Sequence, residues 1–392
     1  MTATFQFKVV DNLLSGVGST RQIEKLFTRH GYQRVLILVD DGVAENSAYL
    51  TEIEALLMQG GREVALHRLR GTEEPDYAYL DSVVAQRRKE PMPDVIIGIG
   101  GGSSLDIAKA VAVLLTNPGS GIEYRGFDKV TKPGVPTVCI PTTAGSGSEV
   151  TINAVFTDKK EKKKLGINGF FMNATHAILD AEWTTSCPAK VALSSGMDAM
   201  VHTMESFMCN QHNVMTREFS KSAFRLLFEN LPCLLEDPKS NIEKRQNLLM
   251  AAHLAAIALF NSGSGIAGAL SYPIGVHYKV PHGIGGGIFI ASVVEYNVSR
   301  GYTDYADLMD LIEPNPTMDI QEKSQHFAMA FRKLSDKLGV PKYLDEWGIT
   351  KDNVDEVAQL MLPLQAAFNQ NPVNFSAEQD ALQMLRKHVQ MS

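Results

Sequence analysis

Up to about Asp180 the chain alternates short β-rich runs with amphipathic helical patterns, and beyond it strand signals nearly vanish. That change of texture constrains the fold more than any other feature. Residues 35–39 form a continuous apolar run ending in Asp40-Asp41-Gly42, as strands buried on both faces do. Residues 49–58 carry apolar side chains at helical spacing; 64–69 read as a second strand and 80–86 as a second helix. A third strand (94–100), a third helix (105–115) and a fourth strand (136–141) follow. Such alternation predicts a parallel sheet with helices on both faces. Residues 191–208, 216–231 and 242–259 then read as long helices, with more towards the C-terminus. A chain of 392 residues exceeds the usual size of one core. The expected fold class is therefore α/β plus all-α: a Rossmann-like parallel-sheet domain over residues 1–183 and a helical domain over 184–392.

Composition narrows the function. A hydrophobic fraction of 44% and a charged fraction of 21% suit packed cores and exclude disorder for the bulk of the chain. A net charge of −7 argues against a nucleic-acid partner, which needs a basic stripe. The basic run 159–164 is interrupted by Glu161 and reads as a solvated turn, with Lys164 as the exception taken up below. Cys139, Cys187, Cys209 and Cys233 show no C-x-x-C spacing, so neither a zinc ribbon nor a disulfide framework is expected. The first residues are too polar for a signal peptide, and the longest apolar stretch, 248–260, is too short to span a bilayer. A cytoplasmic protein without a membrane partner is expected.

The strongest phosphate-binding signal is Gly98-Ile-Gly100-Gly101-Gly102-Ser103-Ser104-Leu-Asp106, where a buried strand passes into a helix. Glycines let the backbone approach a pyrophosphate, Ser103 or Ser104 can cap the helix, and the helix N-terminus favours an anion. The glycines are contiguous and follow the third strand, so this is not the G-x-G-x-x-G fingerprint; alone, it fits an empty tight turn equally well. Asp40 ends the first strand, where a carboxylate can accept from an adenosine ribose and repel a 2′-phosphate. The loop Pro141-Thr142-Thr143-Ala-Gly-Ser146-Gly-Ser-Glu149-Val-Thr151 is a second small, hydroxyl-rich turn after a strand. Two such loops on neighbouring strands point to a dinucleotide.

A metal signal lies in the helical half. Asp198 and His202 are four apart and stack on one helix face, offering a hard oxygen and an imidazole that suit Zn²⁺ or Fe²⁺. Taken alone, a helix-surface pair is the commoner meaning of that spacing. The segment from Tyr272 to His282 offers further ligands, His277 among them. The remaining histidines, His253 included, are expected in ordinary core or surface roles.

Taken together, Asp40, GGGSSLDIAKA, PTTAGSGSEVT with the following Ala-Val-Phe-Thr-Asp, AILDAE, GMDAMVHTMES and PHG resemble the iron-containing, or group III, alcohol dehydrogenases over nearly the whole chain. The resemblance implies a nucleotide-binding α/β domain followed by a helical metal-binding domain, as in the dehydroquinate synthase-like folds. Carried over by position, Asp40 meets the adenosine ribose, and Gly100, Gly101, Gly102, Ser103 and Asp106 surround the pyrophosphate of NAD. Thr142, Thr143, Ser146 and Thr151 line the dinucleotide site, with Asn153, Val155 and Lys164 near the nicotinamide ribose. Asp198, His202 and His282 match three of the family's four metal ligands. Gly268 stands where the family usually has the fourth, a histidine, and Tyr272 where it has a histidine near the reacting centre.

Three ligands with an open position is a familiar zinc arrangement, so one divalent metal is expected, Zn²⁺ ahead of Fe²⁺, with His277 the alternative fourth ligand. The implied reaction is hydride transfer from a carbinol carbon to NAD, with Tyr272 or His277 relaying the proton. The altered metal segment suggests a specialised small-molecule substrate. The chain looks most like the 3-deoxy-octulosonate 8-oxidases, which oxidise a sugar acid used in lipopolysaccharide biosynthesis. A generic polyol or lactaldehyde-type dehydrogenase, a dehydroquinate synthase-like cyclase and a non-catalytic NAD-binding protein are the alternatives. A homodimer is expected.

Overall fold

The computed structural model describes residues 5–10, 12–70, 75–161, 163–236 and 241–390. Its elements follow the order β1 (Asn12–Ser15), α1 (Ile23–His30), β2 (Arg34–Asp40), α2 (Asp41–Asn46), α3 (Tyr49–Gln59), β3 (Glu63–Leu69), α4 (Tyr77–Arg87), β4 (Val95–Gly100) and α5 (Gly102–Thr116). Then come β5 (Gly126–Phe127), β6 (Thr137–Pro141), β7 (Asn153–Asp158), β8 (Lys163–Asn168) and β9 (His176–Leu179). The remainder is helical: α6 (Ala189–Met208), α7 (Val214–Asn230), α8 (Ile242–Phe260), α9 (Ile266–Tyr278), α10 (His282–Ser299), α11 (Ala306–Ile312), α12 (Ile320–Lys337), α13 (Val354–Gln359), α14 (Gln365–Phe368) and α15 (Asp380–Arg386).

Six strands form one parallel sheet in the order β1-β9-β6-β4-β2-β3. Because side chains alternate along a strand, β2 feeds two cores. Leu36 and Leu38 pack with α4 and α5 residues such as Leu80, Val83, Ile107 and Val111. Val35, Ile37 and Val39 pack with α1 and α3 residues such as Phe27, Leu50, Ile53 and Leu57 on the other face. Helices thus cover both faces, as expected of strands that read as unbroken apolar runs. The chain leaves β2 for β3 on one side and later for β4 on the other, so the winding reverses between β2 and β4. In open α/β sheets the carboxyl ends of strands part at such a reversal and leave room for a ligand.

A second, three-stranded sheet in the order β5-β8-β7 was not expected from the sequence, nor were the four-residue strands β1 and β9. The chain divides into two compact units that are not continuous in sequence. One comprises residues 8–188 together with 236–253; the other comprises 189–235, 254 onward and the segment before residue 8. In the helical unit, α6 packs against α7, α9 and α10. Glycine permits the closest of these approaches: a Cβ on Gly283 would collide with the Ser194 carbonyl oxygen and lie 3.0 Å from Asp198 Cβ. Among the described residues no helix is long and apolar enough to cross a membrane.

Candidate nucleotide and metal sites

At the C-terminal ends of β2, β4 and β6, three segments of the α/β unit meet. Asp40 closes β2 and caps α2, its carboxylate accepting from the Val43 N–H at 3.3 Å and from Ser104 Oγ at 3.4 Å. Burial holds its carboxyl above the ordinary range against these bonds. Gly100 takes φ +154°, and a Cβ there would sit 2.6 Å from Ser104 Cβ and 3.0 Å from Asp40 Cβ. Thr142 donates its N–H to the Gly100 carbonyl at 3.0 Å, joining the loop after β6 to the glycine loop. A Cβ on Gly101 would touch the Thr143 side chain, and one on Gly102 would collide with Ser146 Oγ.

The expected serine cap is absent. Gly101 is the N-cap of α5 with no side-chain bond, because Ser104 turns to Asp40 and Ser103 points outward. The first turn of this 15-residue helix therefore offers its N–H groups and positive dipole end to an anion.

Asp106, expected at the pyrophosphate, turns its carboxylate inward. It accepts from Ser148 Oγ at 2.5 Å and from the Val155 N–H at 2.8 Å, with Lys109 Nζ 3.4 Å away, so both oxygens are engaged inside the protein. A carboxylate turned inward avoids repelling a phosphate and braces the loop instead. Lys109 is fully buried and donates to the carbonyls of Ser148 at 2.7 Å, Asn153 at 2.6 Å and Thr151 at 3.3 Å. The i, i+3 spacing of Asp106 and Lys109 in an apolar helix was the available signal. On β7, Asn153 and Val155 alternate with the buried Ala154 and Phe156, and antiparallel pairing sets Lys164 of β8 opposite Thr157. Asn153, Val155 and Lys164 therefore share the face turned from the core. Glu149, in the loop after β6, is buried with His253 of α8, Oε1 to Nδ1 at 3.0 Å.

The metal-ligand candidates lie in the helical unit. Asp198 and His202 share one face of α6, with His202 Nε2 3.5 Å from Asp198 Oδ1. Close packing at Gly283 brings the start of α10 to the same place and sets His282 Nε2 3.8 Å from that oxygen. Two donors about 2.1 Å from one ion at a tetrahedral angle lie about 3.4 Å apart. These two spacings and the chemistry of the donors suit a divalent metal, and the buried His202 Nδ1 has no hydrogen-bond partner among the described residues. Among the described residues no group of three or more His, Cys, Asp or Glu is disposed to hold an ion as it stands. Closing on one requires side-chain movement.

On α9, the Gly268 N–H donates to Glu205 Oε1 at 2.8 Å. Glu205 lies on the same α6 face as Asp198 and His202, is fully buried, and also meets the N–H groups of Gly265 and Ala267. Burial outweighs those bonds and pushes its carboxyl up to about 7. Ser271 Oγ lies 2.6 Å from the Gly268 carbonyl and 2.8 Å from His282 Nδ1. The Tyr272 ring packs on His282 with centroids 4.8 Å apart and remains 40% exposed. His277 is exposed, makes no hydrogen bond or ion pair with the described residues, and lies nine residues after Gly268, hence on the opposite side of the helix. It does not join the other donors.

Residues 11–181 match the iron-containing alcohol dehydrogenase family, and residues 192–389 match the C-terminal part of the same family. Sulfoacetaldehyde reductase of Bilophila wadsworthia (strain 3_1_6) is 30% identical over 96% of this chain and 97% of its own length. NAD-dependent methanol dehydrogenase of Bacillus methanolicus is 28% identical over 88% of this chain and 90% of its own. A crystal structure of 1,3-propanediol oxidoreductase superposes with a TM-score of 0.90 at 26% identity, covering 98% of this chain and all of that one. With both halves of the chain matched, the chain belongs to the iron-containing alcohol dehydrogenase family.

Proposed function

We propose that the protein is an NAD-linked, metal-dependent dehydrogenase that oxidises a primary hydroxyl to an aldehyde, or runs the reverse. The observation that carries this reading is the convergence of His202 Nε2 and His282 Nε2 on Asp198 Oδ1, at 3.5 and 3.8 Å. Asp198, His202 and His282 would hold the metal; when bound, a divalent ion there supplies Lewis-acid polarisation of a hydroxyl. Iron, after the family, and zinc, after a donor set lacking a fourth imidazole, are the two candidates. The glycine loop, Thr142, Thr143 and Ser146 bind NAD, with Asp40 at the adenosine ribose. Asn153, Val155 and Lys164 orient the nicotinamide end, so that the carbinol hydride passes to the cofactor. We assign the proton relay to Tyr272, whose ring lies against His282, rather than to the outward His277.

For the substrate, the relatives range from a small neutral alcohol to an anionic aldehyde by their names. Oxidation of the 8-hydroxyl of 3-deoxy-octulosonate, a step towards lipopolysaccharide sugars, is our specific candidate. It rests on the departures at Gly268 and Tyr272, and a generic polyol dehydrogenase is the second reading. We further propose a homodimer.

The test follows nicotinamide absorbance with polyols, 1,3-propanediol, sulfoacetaldehyde and sugar acids, after loading the protein separately with Fe²⁺ and Zn²⁺. Net NADH formation from 3-deoxy-octulosonate above all other alcohols supports the specific reading. Higher kcat/KM on a simple diol moves the chain to the generic one. Binding of NAD with no net redox change on any hydroxyl or aldehyde would sink both and favour a cyclase-type reaction.

A further inference from the structure

We infer that Ser271, held in register by a Glu205 clamp on α9, is the positioning residue that orients His282 towards Asp198. The inference rests on the metal reading above. It begins with a single proton: the Ser271 hydroxyl has one to donate, and the Gly268 carbonyl, 2.6 Å away, can only accept. Ser271 Oγ therefore accepts from the other close neighbour, the His282 Nδ1–H at 2.8 Å. That bond fixes the tautomer and leaves the His282 Nε2 lone pair directed to Asp198 Oδ1 at 3.8 Å. With its proton on Nδ1, the ring presents Nε2 as the ligating nitrogen. His202 differs, because its buried Nδ1 has no hydrogen-bond partner among the described residues. Of the two imidazoles, His282 is the preset donor.

The clamp explains why Ser271 is in place. Glu205 extends from α6 and accepts the Gly268 N–H at 2.8 Å, while the carbonyl of the same residue holds the Ser271 hydroxyl. Glycine at 268 is what admits the carboxylate, since a Cβ there would lie 2.8 Å from Glu205 Oε2. One bonded path, Glu205 to Gly268 to Ser271 to His282, thus ties α6, α9 and α10 together at the metal donors.

The experiment strips the protein with a chelator and measures Zn²⁺ and Co²⁺ affinity by chelator competition, with thermal unfolding of the apo form alongside. Ser271→Ala, and the near-isosteric Ser271→Cys as a check should alanine impair folding, are each expected to lower affinity about ten- to a hundredfold. Glu205→Ala, which removes the acceptor of the Gly268 N–H, should fall with the serine variants. In apo protein carrying ¹⁵N-histidine, the ring signal that disappears in His282→Gln should report Nδ1–H, and Ser271→Ala should shift that signal. Wild-type affinity and an unshifted His282 signal in both serine variants overturn the positioning role. A wild-type protein that binds neither metal overturns the metal reading instead.

Discussion

Asp40 caps α2 through Val43 and, on the proposed function, meets an adenosine ribose beside Gly100 with the same carboxylate. Serine separates the two, because it keeps a capping oxygen and removes the charge. Asp40→Ser should narrow the preference for NAD over NADP by about tenfold, equivalent to about 1.4 kcal/mol, with little loss of stability. Comparing kcat/KM for the two cofactors reads this directly; an unmutated protein that uses both equally contradicts the assignment. His253, expected in an ordinary core or surface role, is a core residue that closes a buried pair with Glu149 of the loop after β6. His253→Ala leaves that carboxylate without its partner and should cost about 1.5–3 kcal/mol of stability and raise KM for NAD. His253→Gln retains a donor and should recover most of both. An alanine variant with unchanged melting temperature and KM would show that the pair does not hold the loop.

Between elements, the decisive contact is the crossing of α10 on α6. Alanine is the better helix former by about 1 kcal/mol, so on propensity alone Gly283→Ala would stabilise α10. The added Cβ meets the Ser194 carbonyl, however, and overpacking of this kind costs about 1–3 kcal/mol. The expected variant melts lower and retains less metal, since His282 is the neighbouring residue; a rise in melting temperature would refute the close approach. The same crossing shows what the sequence could disclose. β2, β4 and β6 were legible because buried parallel strands are long apolar runs, and the glycine- and hydroxyl-rich loops because they follow those strands without a break. β1 and β9 were not, since four residues give no period to read. β7 and β8 were missed because they alternate with polar residues such as Lys163 and Lys164 and so resemble a solvated turn. Ser271, Glu205 and the Glu149–His253 pair became visible only on folding, because their partners lie on other elements, 104 residues away for the last.

Across the described residues, each unit carries a buried histidine whose protonation opposes folding. Burial, and secondarily the nearby His30, lowers His176 to about 4. Burial likewise lowers His388 to about 4, with Ser292 Oγ and the Lys342 carbonyl on its two nitrogens. Both stay neutral when folded but take up protons below about 6.5 when unfolded, so the unfolded chain binds more protons and stability falls as pH drops from 6.5 towards 4. The loss approaches about 3 kcal/mol for each histidine across that window. His388→Gln should flatten the decline measured by denaturant unfolding at stepped pH, and an equal slope in the variant would remove His388 from the account. The discontinuity of the α/β unit has a consequence for how the chain is made. Leu249, on the returning segment 236–253, packs with Leu179 and Ala181 at the end of the sheet, so a nascent chain that stops at residue 188 lacks part of its own core. On the ribosome the sheet cannot be sealed until α8 has emerged, by which time α6 and α7 are already outside the exit tunnel. A fragment ending at residue 188 should therefore be cut rapidly by protease, whereas the same fragment supplied with residues 236–253 through a flexible linker should resist.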